Sequence, residues 1–235
     1  MIKLGTAAFN LQVAGLSTEE LEEYSSKLFD LWEAQVESEL AIISDYSLRL
    51  EVEEGSLKGR GKIFAGVALV YAGICGYGSF AQGLQTLNSH VRSSVSRLND
   101  KSIESFSADV PKHTFKTGTG RLGKLEGLFE KVRKGEITPE IAAARAERMF
   151  RDEAEECPEF IASFLNALHN QQEVPQQLDL LSDFPQGKPA IIAREPRATI
   201  SSSKTPTGPP PERYKVEVWR ESKRKRRFLK IKKIQ

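Results

Sequence analysis

The chain has 235 residues, of which 28% are charged and 39% hydrophobic, and its net charge is +2. This composition is ordinary for a globular domain and excludes a membrane protein with many spans. Two cysteines exclude a disulfide framework and favour reduced thiols in a cytoplasm. The charge is uneven, because residues 213–235 carry a net +9 and the remaining residues a net −7. A basic tail on an acidic body predicts that the tail contacts a polyanion.

Residues 1–62 predict a β-α-β-β unit, the first part of an α+β fold. Residues 9–13 alternate between apolar and polar side chains, as a strand does. Ser17 and Glu20 form a capping box, which satisfies two backbone donors at a helix start. One apolar stripe then recurs at helical steps: Leu21, Tyr24, Leu28, Trp32, Val36 and Leu40. Residues 46–53 alternate again, and a turn at 54–56 predicts a return strand over 57–62.

The segment 63–98 is expected to form one long helix, apolar in its first half and amphipathic in its second. Residues 63–91 contain no Asp, Glu, Lys or Arg. The apolar run 63–80 would span about 27 Å as a helix, close to the roughly 30 Å hydrocarbon layer of a bilayer. It could therefore contact a membrane, form a buried core helix, or form a glycine-rich loop. Small residues spaced for close helix packing are predicted to line its contacts: Ala65, Ala68, Ala72, Gly73 and Gly76.

Residues 99–170 are expected to be a helical region that follows a polar loop over 99–118. Apolar residues at helical steps precede Gly135, which predicts a helix C-terminus there. Thr138-Pro139 and Pro158 predict two more helix starts. The glycine-rich residues 116–121 could cradle a phosphate or simply begin a helix. They lack the Gly-Lys-Ser/Thr ending of a P-loop, which favours the helix start.

The C-terminal part divides into a proline-rich linker over 171–212 and a basic tail over 213–235, which is expected to form a β-hairpin. The tail could bind nucleic acid, since cations attract phosphates and aromatic rings stack on unpaired bases. It could equally contact anionic lipid or remain a solvated end that neutralises the acidic body. The candidate binding residues are Trp219, Arg220, Lys223, Arg224, Lys225, Arg226 and Arg227.

No catalytic, cofactor or metal motif is recognisable. His90, His113 and His169 are far apart and have no cysteine or carboxylate at ligand spacing. We therefore expect no enzymatic activity, no cofactor and no metal. No apolar stretch follows a basic N-terminus, so we expect a protein that is not secreted, in the cytoplasm or associated with the inner membrane.

The charged strand pair over 48–62 and the glycine-rich apolar segment after it, within residues 46–98, resemble small effector proteins of bacterial antiviral defence systems. The resemblance implies an oligomeric, membrane-active subunit of pore or channel type, gated by a phosphate-rich or oligonucleotide ligand. It assigns no functional residues. The alternative hypothesis is a soluble α+β nucleic-acid-binding or adaptor protein, with residues 63–80 as its core helix. The first hypothesis predicts self-association and lipid contact, and the second predicts salt-dependent nucleic-acid binding.

Overall fold

The computed structural model describes residues 1–13, 15–104, 106, 112–172 and 213–234. Its strands, in chain order, are β1 (Ile2–Leu11), β2 (Ser47–Glu53), β3 (Leu57–Ala65), β4 (His113–Gly118), β5 (Arg213–Arg220) and β6 (Phe228–Ile234). Its helices are α1 (Thr18–Glu39), α2 (Val67–Cys75), α3 (Phe80–Glu104), α4 (Gly120–Arg133), α5 (Pro139–Phe150), α6 (Asp152–Glu155) and α7 (Pro158–Gln172). The predicted α+β class is confirmed.

The strands form one antiparallel sheet in the order β4-β1-β3-β2-β5-β6. Two hairpins predicted from local sequence, β2–β3 and β5–β6, are present. Since β5 pairs with β2, the C-terminal hairpin extends the sheet that the N-terminal unit begins.

Helices α1 and α3 cover one face of this sheet. The indole N–H of Trp32 in α1 donates to the carbonyl of Ser94 in α3 at 3.0 Å, which joins the two helices. A side chain at Gly61 would overlap Leu98 and Trp32, so this glycine lets both helices approach the central strand closely. The apolar residues that alternate along β1, β2 and β3 are buried beneath these helices.

Helix α1 confirms its prediction in detail. The Ser17 hydroxyl accepts from the Glu20 backbone N–H at 3.2 Å, and the Glu20 carboxylate accepts from the Ser17 N–H at 2.7 Å. Both halves of the predicted capping box are thus formed. Every residue of the predicted apolar stripe is buried: Leu21, Tyr24, Leu28, Trp32, Val36 and Leu40.

The single long helix expected over 63–98 is wrong. Residues 63–65 belong to β3, where Ile63 and Ala65 are buried, because the alternation of buried and less buried residues along the strand continues to that point. Helices α2 and α3 then follow with their axes bent by 114°. The break contains Gly78, whose φ of +95° suits glycine and interrupts a right-handed helix. Among the described residues no single helix is long and apolar enough to cross a membrane, whereas α2 and α3 together satisfy the length and composition test.

The five predicted helix-packing residues do not share one contact surface. Ala65 is buried in the sheet, and Gly73 is buried in α2, where a Cβ would be in ordinary contact with Ile42 and Ile43. Ala68, Ala72 and Gly76 are exposed. The predicted stripe is therefore divided between the interior and the surface.

A second hydrophobic layer lies where α3, α4, α5 and α7 meet. Its aromatic rings make edge contacts, with centroids 5.0 Å apart for both Phe129–Phe164 and Phe150–Phe160. The helix boundaries predicted at Gly135, Thr138 and Pro158 are confirmed. The loop expected over 99–118 is wrong in part, because α3 continues to Glu104 and β4 occupies the last six residues. Predictions about 173–212 lie outside the described residues.

Candidate functional site

The sheet face opposite α1 and α3, here called the open face, is strongly basic. None of the helices in the described part of the chain covers it. Strand alternation and register place ten basic residues on it against three acidic ones. The basic residues are Lys3, Arg49, Lys58, Arg60, Lys62, Lys116, Arg213, Lys215, Lys230 and Lys232, and the acidic ones are Glu51, Glu53 and Glu217.

A groove on this face lies over β1, between the side chains of β3 and β4. Ala8 is paired with Arg60 on one side and with Lys116 on the other. Arg60 and Lys116 are two strands apart, about 10 Å at a strand spacing of about 4.8 Å, and the small Ala8 side chain leaves the space between them open. In the next row Asn10 lies between Lys58 and Thr114. These residues enclose about 330 Å³ and are called the basic groove below.

The three cations of the basic groove have no acidic partner in the part of the chain that the structure describes. Within the described residues, Lys58, Arg60 and Lys116 are exposed and make no ion pair. Glu51 and Glu53 also line the groove, but Glu51 accepts hydrogen bonds from Lys62 and from Lys215, both at 3.0 Å. The groove therefore offers three cations without a carboxylate partner among the described residues, so an incoming phosphate would displace none of those carboxylates from them.

Four of the other seven cations on the open face, Arg49, Lys62, Lys215 and Lys232, form an ion-pair network with Glu51 and Glu217. The Glu217 carboxylate accepts from Lys232 at 2.9 Å and lies 3.5 Å from the Lys215 ammonium. The hydrogen bond from Lys232 is the main reason that the pKa of Glu217 is lowered. Burial raises the pKa of Glu51, but hydrogen bonds from Lys215 and Lys62 outweigh that effect and leave it lowered. Both glutamates are thus held ionised by cations that are already engaged.

Strand β1 adds polar atoms to the open face that have no hydrogen-bond partner among the described residues. The Oδ1 of Asn10 and the Oγ1 of Thr6 are buried and make no hydrogen bond to the described residues. Asn10 lies in the groove between Lys58 and Thr114, and Thr6 lies in the row that also contains Lys62. An amide oxygen accepts and a hydroxyl can donate or accept, so these atoms suit a ligand with hydroxyl or N–H groups beside its phosphates.

The basic residues predicted in the C-terminal tail lie in and beside the β5–β6 turn, and four of six are paired. The pairs are Arg220 with Glu33, Lys223 with Glu37, Arg227 with Asp30, and Lys225 with Glu221. Arg220 has the most complete set of partners, because it also donates to the carbonyls of Lys223 and Lys225. Arg224 and Arg226 make no ion pair within the described residues. Much of the turn therefore neutralises the acidic face of α1.

Trp219, the aromatic member of the predicted set, lies on the open face. Its ring stacks on Phe228 with centroids 5.6 Å apart and planes 22° apart. Phe228 is 46% exposed, so one side of the pair is available at the edge of the sheet. By register the pair continues a row that contains Thr6, Lys62 and Arg49.

Sequence reasoning missed the basic groove. Its signal is the segment Lys58-Gly59-Arg60-Gly61-Lys62, in which strand alternation sends three basic side chains to one face and two glycines to the other. From sequence, these residues are identified only as part of the charged strand pair over 48–62. Lys116 could not be connected to them, since its strand was expected to be a loop.

The described residues contain no group of three or more His, Cys, Asp or Glu that could hold a metal ion. Comparisons of this chain with protein-family models, with curated proteins and with solved structures find no match.

Proposed function

We propose that this protein binds single-stranded nucleic acid across the open face of its sheet, with Lys58, Arg60 and Lys116 contacting phosphates. The observation that carries the proposal is that these three cations converge on one groove and have no ion-pair partner within the described residues. Neutralising phosphates with such side chains releases condensed counterions, which drives binding.

The size of the open face favours a polymer over a small anion. Six strands at about 4.8 Å spacing extend about 24 Å, several times the width of a single phosphate. Cations recur from β4 to β6 across that distance. At the β6 edge, the Trp219–Phe228 pair offers rings on which unpaired bases can stack. An unpaired strand exposes both its phosphates and its base faces, as this arrangement requires.

The test compares two charge-matched triple variants. The groove variant carries Lys58→Gln, Arg60→Gln and Lys116→Gln. The turn variant carries Arg224→Gln, Lys225→Gln and Arg226→Gln, which removes the same charge from the site predicted from sequence. Fluorescence anisotropy with labelled 20-mers of oligo-U, oligo-dT and a duplex, titrated from 50 to 300 mM salt, measures affinity and its salt dependence.

We expect the groove variant to lose about 2 from the slope of log K against log salt, because each phosphate contact on a single strand contributes about 0.7. Extrapolated from 1 M to 0.1 M salt, that slope loss corresponds to about 100-fold weaker binding. The turn variant should stay within about threefold of the parent. Loss of binding in the turn variant alone would assign the phosphates to the β5–β6 turn, and an absence of binding by the parent chain would reject the proposed function.

The membrane-active oligomer predicted from sequence is a second proposal. The observation that favours it is that α2 and α3 together satisfy the length and apolarity expected of a span, with a bend of 114°. Carbonate washing of cells that express the chain tests it. Retention in the membrane pellet would support a membrane-active protein, and complete release would count against it.

A further inference from the structure

A second groove lies between the surfaces of α4 and α5. It encloses about 610 Å³, and its floor is formed by Leu128, Met149 and Gly127. A Cβ built on Gly127 would meet no atom within 4 Å, so the glycine leaves open space in the floor. This surface is apolar at its base, unlike the basic groove on the sheet.

Four cations line this α4–α5 groove: Lys124, Lys131, Arg145 and Arg148. All four are exposed, and none makes an ion pair within the described part of the chain. The nearby α4 glutamates are engaged elsewhere, since Glu130 accepts from Arg133 at 2.6 Å and Glu126 accepts from Asn88. No acidic residue lines the groove. Its positive charge is therefore uncompensated within the protein that the structure describes.

The spacing of the lining residues gives the groove the length of a short helix. On α4 the lining residues follow Lys124 at offsets of three, four and seven, so they extend to Lys131, about 10 Å away at 1.5 Å per residue. On α5 Arg145 and Arg148 lie on one face, and Ile141, one turn before Arg145, is 46% exposed. Cations on both helices flank an apolar floor, and this arrangement is complementary to an amphipathic helix of about two to three turns.

We infer that the α4–α5 groove docks an amphipathic helix of a partner protein, with the partner's apolar side chains on Leu128 and Met149 and its Asp and Glu residues beside the four cations. Charge complementarity selects an acidic partner. The apolar floor disfavours nucleic acid, which would place phosphates and not hydrocarbon there. An acyl chain would need a cavity that encloses it, whereas this groove is open along its length.

The test uses the full chain and a defined probe. The probe is a fluorescein-labelled, end-capped 15-residue peptide of Leu, Ala and Glu with leucines at helical steps. The comparison peptide has the same composition in scrambled order. Gly127→Leu fills the floor, and the pair Arg145→Gln with Arg148→Gln removes one wall of charge. The matched control, Lys27→Gln with Arg97→Gln, removes two exposed, unpaired cations from α1 and α3.

We expect the helical peptide to bind the parent chain and the control equally. The Arg145/Arg148 variant should bind about fivefold more weakly, since exposed ion pairs contribute modestly. Gly127→Leu should abolish detectable binding, and its circular dichroism spectrum and melting curve establish that it folds. Should Gly127→Leu unfold the protein, the charge variant alone decides the outcome.

Three results would overturn the inference. Equal binding of the scrambled peptide would show that charge alone is recognised. Binding to phosphatidylcholine–phosphatidylglycerol vesicles without binding to the peptide would assign the groove to lipid. Equal peptide affinity in the parent and the Arg145/Arg148 variant would place the peptide elsewhere.

Discussion

The bend between α2 and α3 depends on a close approach at Gly83, and Gly83→Ala tests it. A Cβ at this position would lie 2.0 Å from the carbonyl oxygen of Ile74 and 2.8 Å from its carbonyl carbon. Both are backbone atoms at the end of α2, so no side-chain rotation can relieve the overlap. The two helices must separate for alanine to fit.

The expected magnitude is the difference between two effects. Overpacking that moves backbone costs about 1–3 kcal/mol. Replacing a helical glycine by alanine stabilises the helix by up to about 1 kcal/mol through its higher helix propensity. We therefore expect Gly83→Ala to destabilise the fold by about 1–2 kcal/mol, a fall in Tm of about 2–8 °C at this chain length.

Gly127→Ala is the matched control, because Gly127 is also helical but a Cβ there meets nothing within 4 Å. It should gain about 0.5–1 kcal/mol, so its Tm should rise. Thermal unfolding followed by circular dichroism measures both variants under one condition. A Tm for Gly83→Ala equal to or above that of Gly127→Ala would refute the close approach of α2 and α3.

Three other predictions concern capping and ion pairs. Ser17→Ala should cost about 1 kcal/mol of unfolding free energy in urea titrations, because the Glu20 N–H loses its acceptor. Glu51→Gln should lower the free energy of unfolding at pH 7. The pKa of Glu51 is lowered in the folded state, so its carboxylate stabilises the fold above the ordinary carboxyl pKa of 4.5. That stabilisation is lost as the pH falls through the folded-state pKa, so the difference in stability between variant and parent should shrink at low pH. Arg220→Gln should lower Tm, because Glu33 and two carbonyls lose a donor, and should leave oligo-U affinity within about threefold if the groove carries binding.

The sequence predicted the elements whose signals are local. The capping box of α1, the turn between β2 and β3, and the helix boundaries at Gly135 and Thr138 each depend on residues within a few positions of one another. These contacts form whatever the rest of the chain does, so their residue types identify them directly.

The missed elements depend on distant partners. Strand β4 has only Phe115 as a half-buried residue, since it is an edge strand that pairs with β1 alone among the described strands. Without a row of buried side chains it shows no alternation to detect. The apolar residues 63–80 also gave a misleading pattern. Their uniform hydrophobicity hid a strand end, a short helix and a turn, of which the strand end and the helix contribute buried residues to one core.

The sequence also could not predict which cations of the open face lack a carboxylate partner, because ion pairing depends on the order of the strands in the sheet. Arg60 and Lys62 are two residues apart on the same face of β3. Lys62 is bound to Glu51, and Lys215 binds the same carboxylate from a strand that begins about 150 residues later in the chain. Arg60, although paired in register with Glu51, makes no ion pair within the described residues. The amino-acid composition does not distinguish these cations. The pairing of strands in the sheet determines which of them has a carboxylate partner.

Ion pairing within the fold also explains why a basic tail on an acidic body need not mean that the tail binds an external polyanion. Asp30, Glu33 and Glu37 on α1 bind Arg227, Arg220 and Lys223 of the tail, so much of the asymmetry is resolved inside the fold. A phosphate that bound Arg220, Lys223 or Arg227 would have to compete with those carboxylates. Among the described residues, a phosphate in the basic groove has no such competitor at Arg60, Lys58 or Lys116. Salt weakens both kinds of contact, but the groove cations, unlike Arg220, Lys223 and Arg227, can exchange screening ions for a ligand without first losing a carboxylate partner among the described residues.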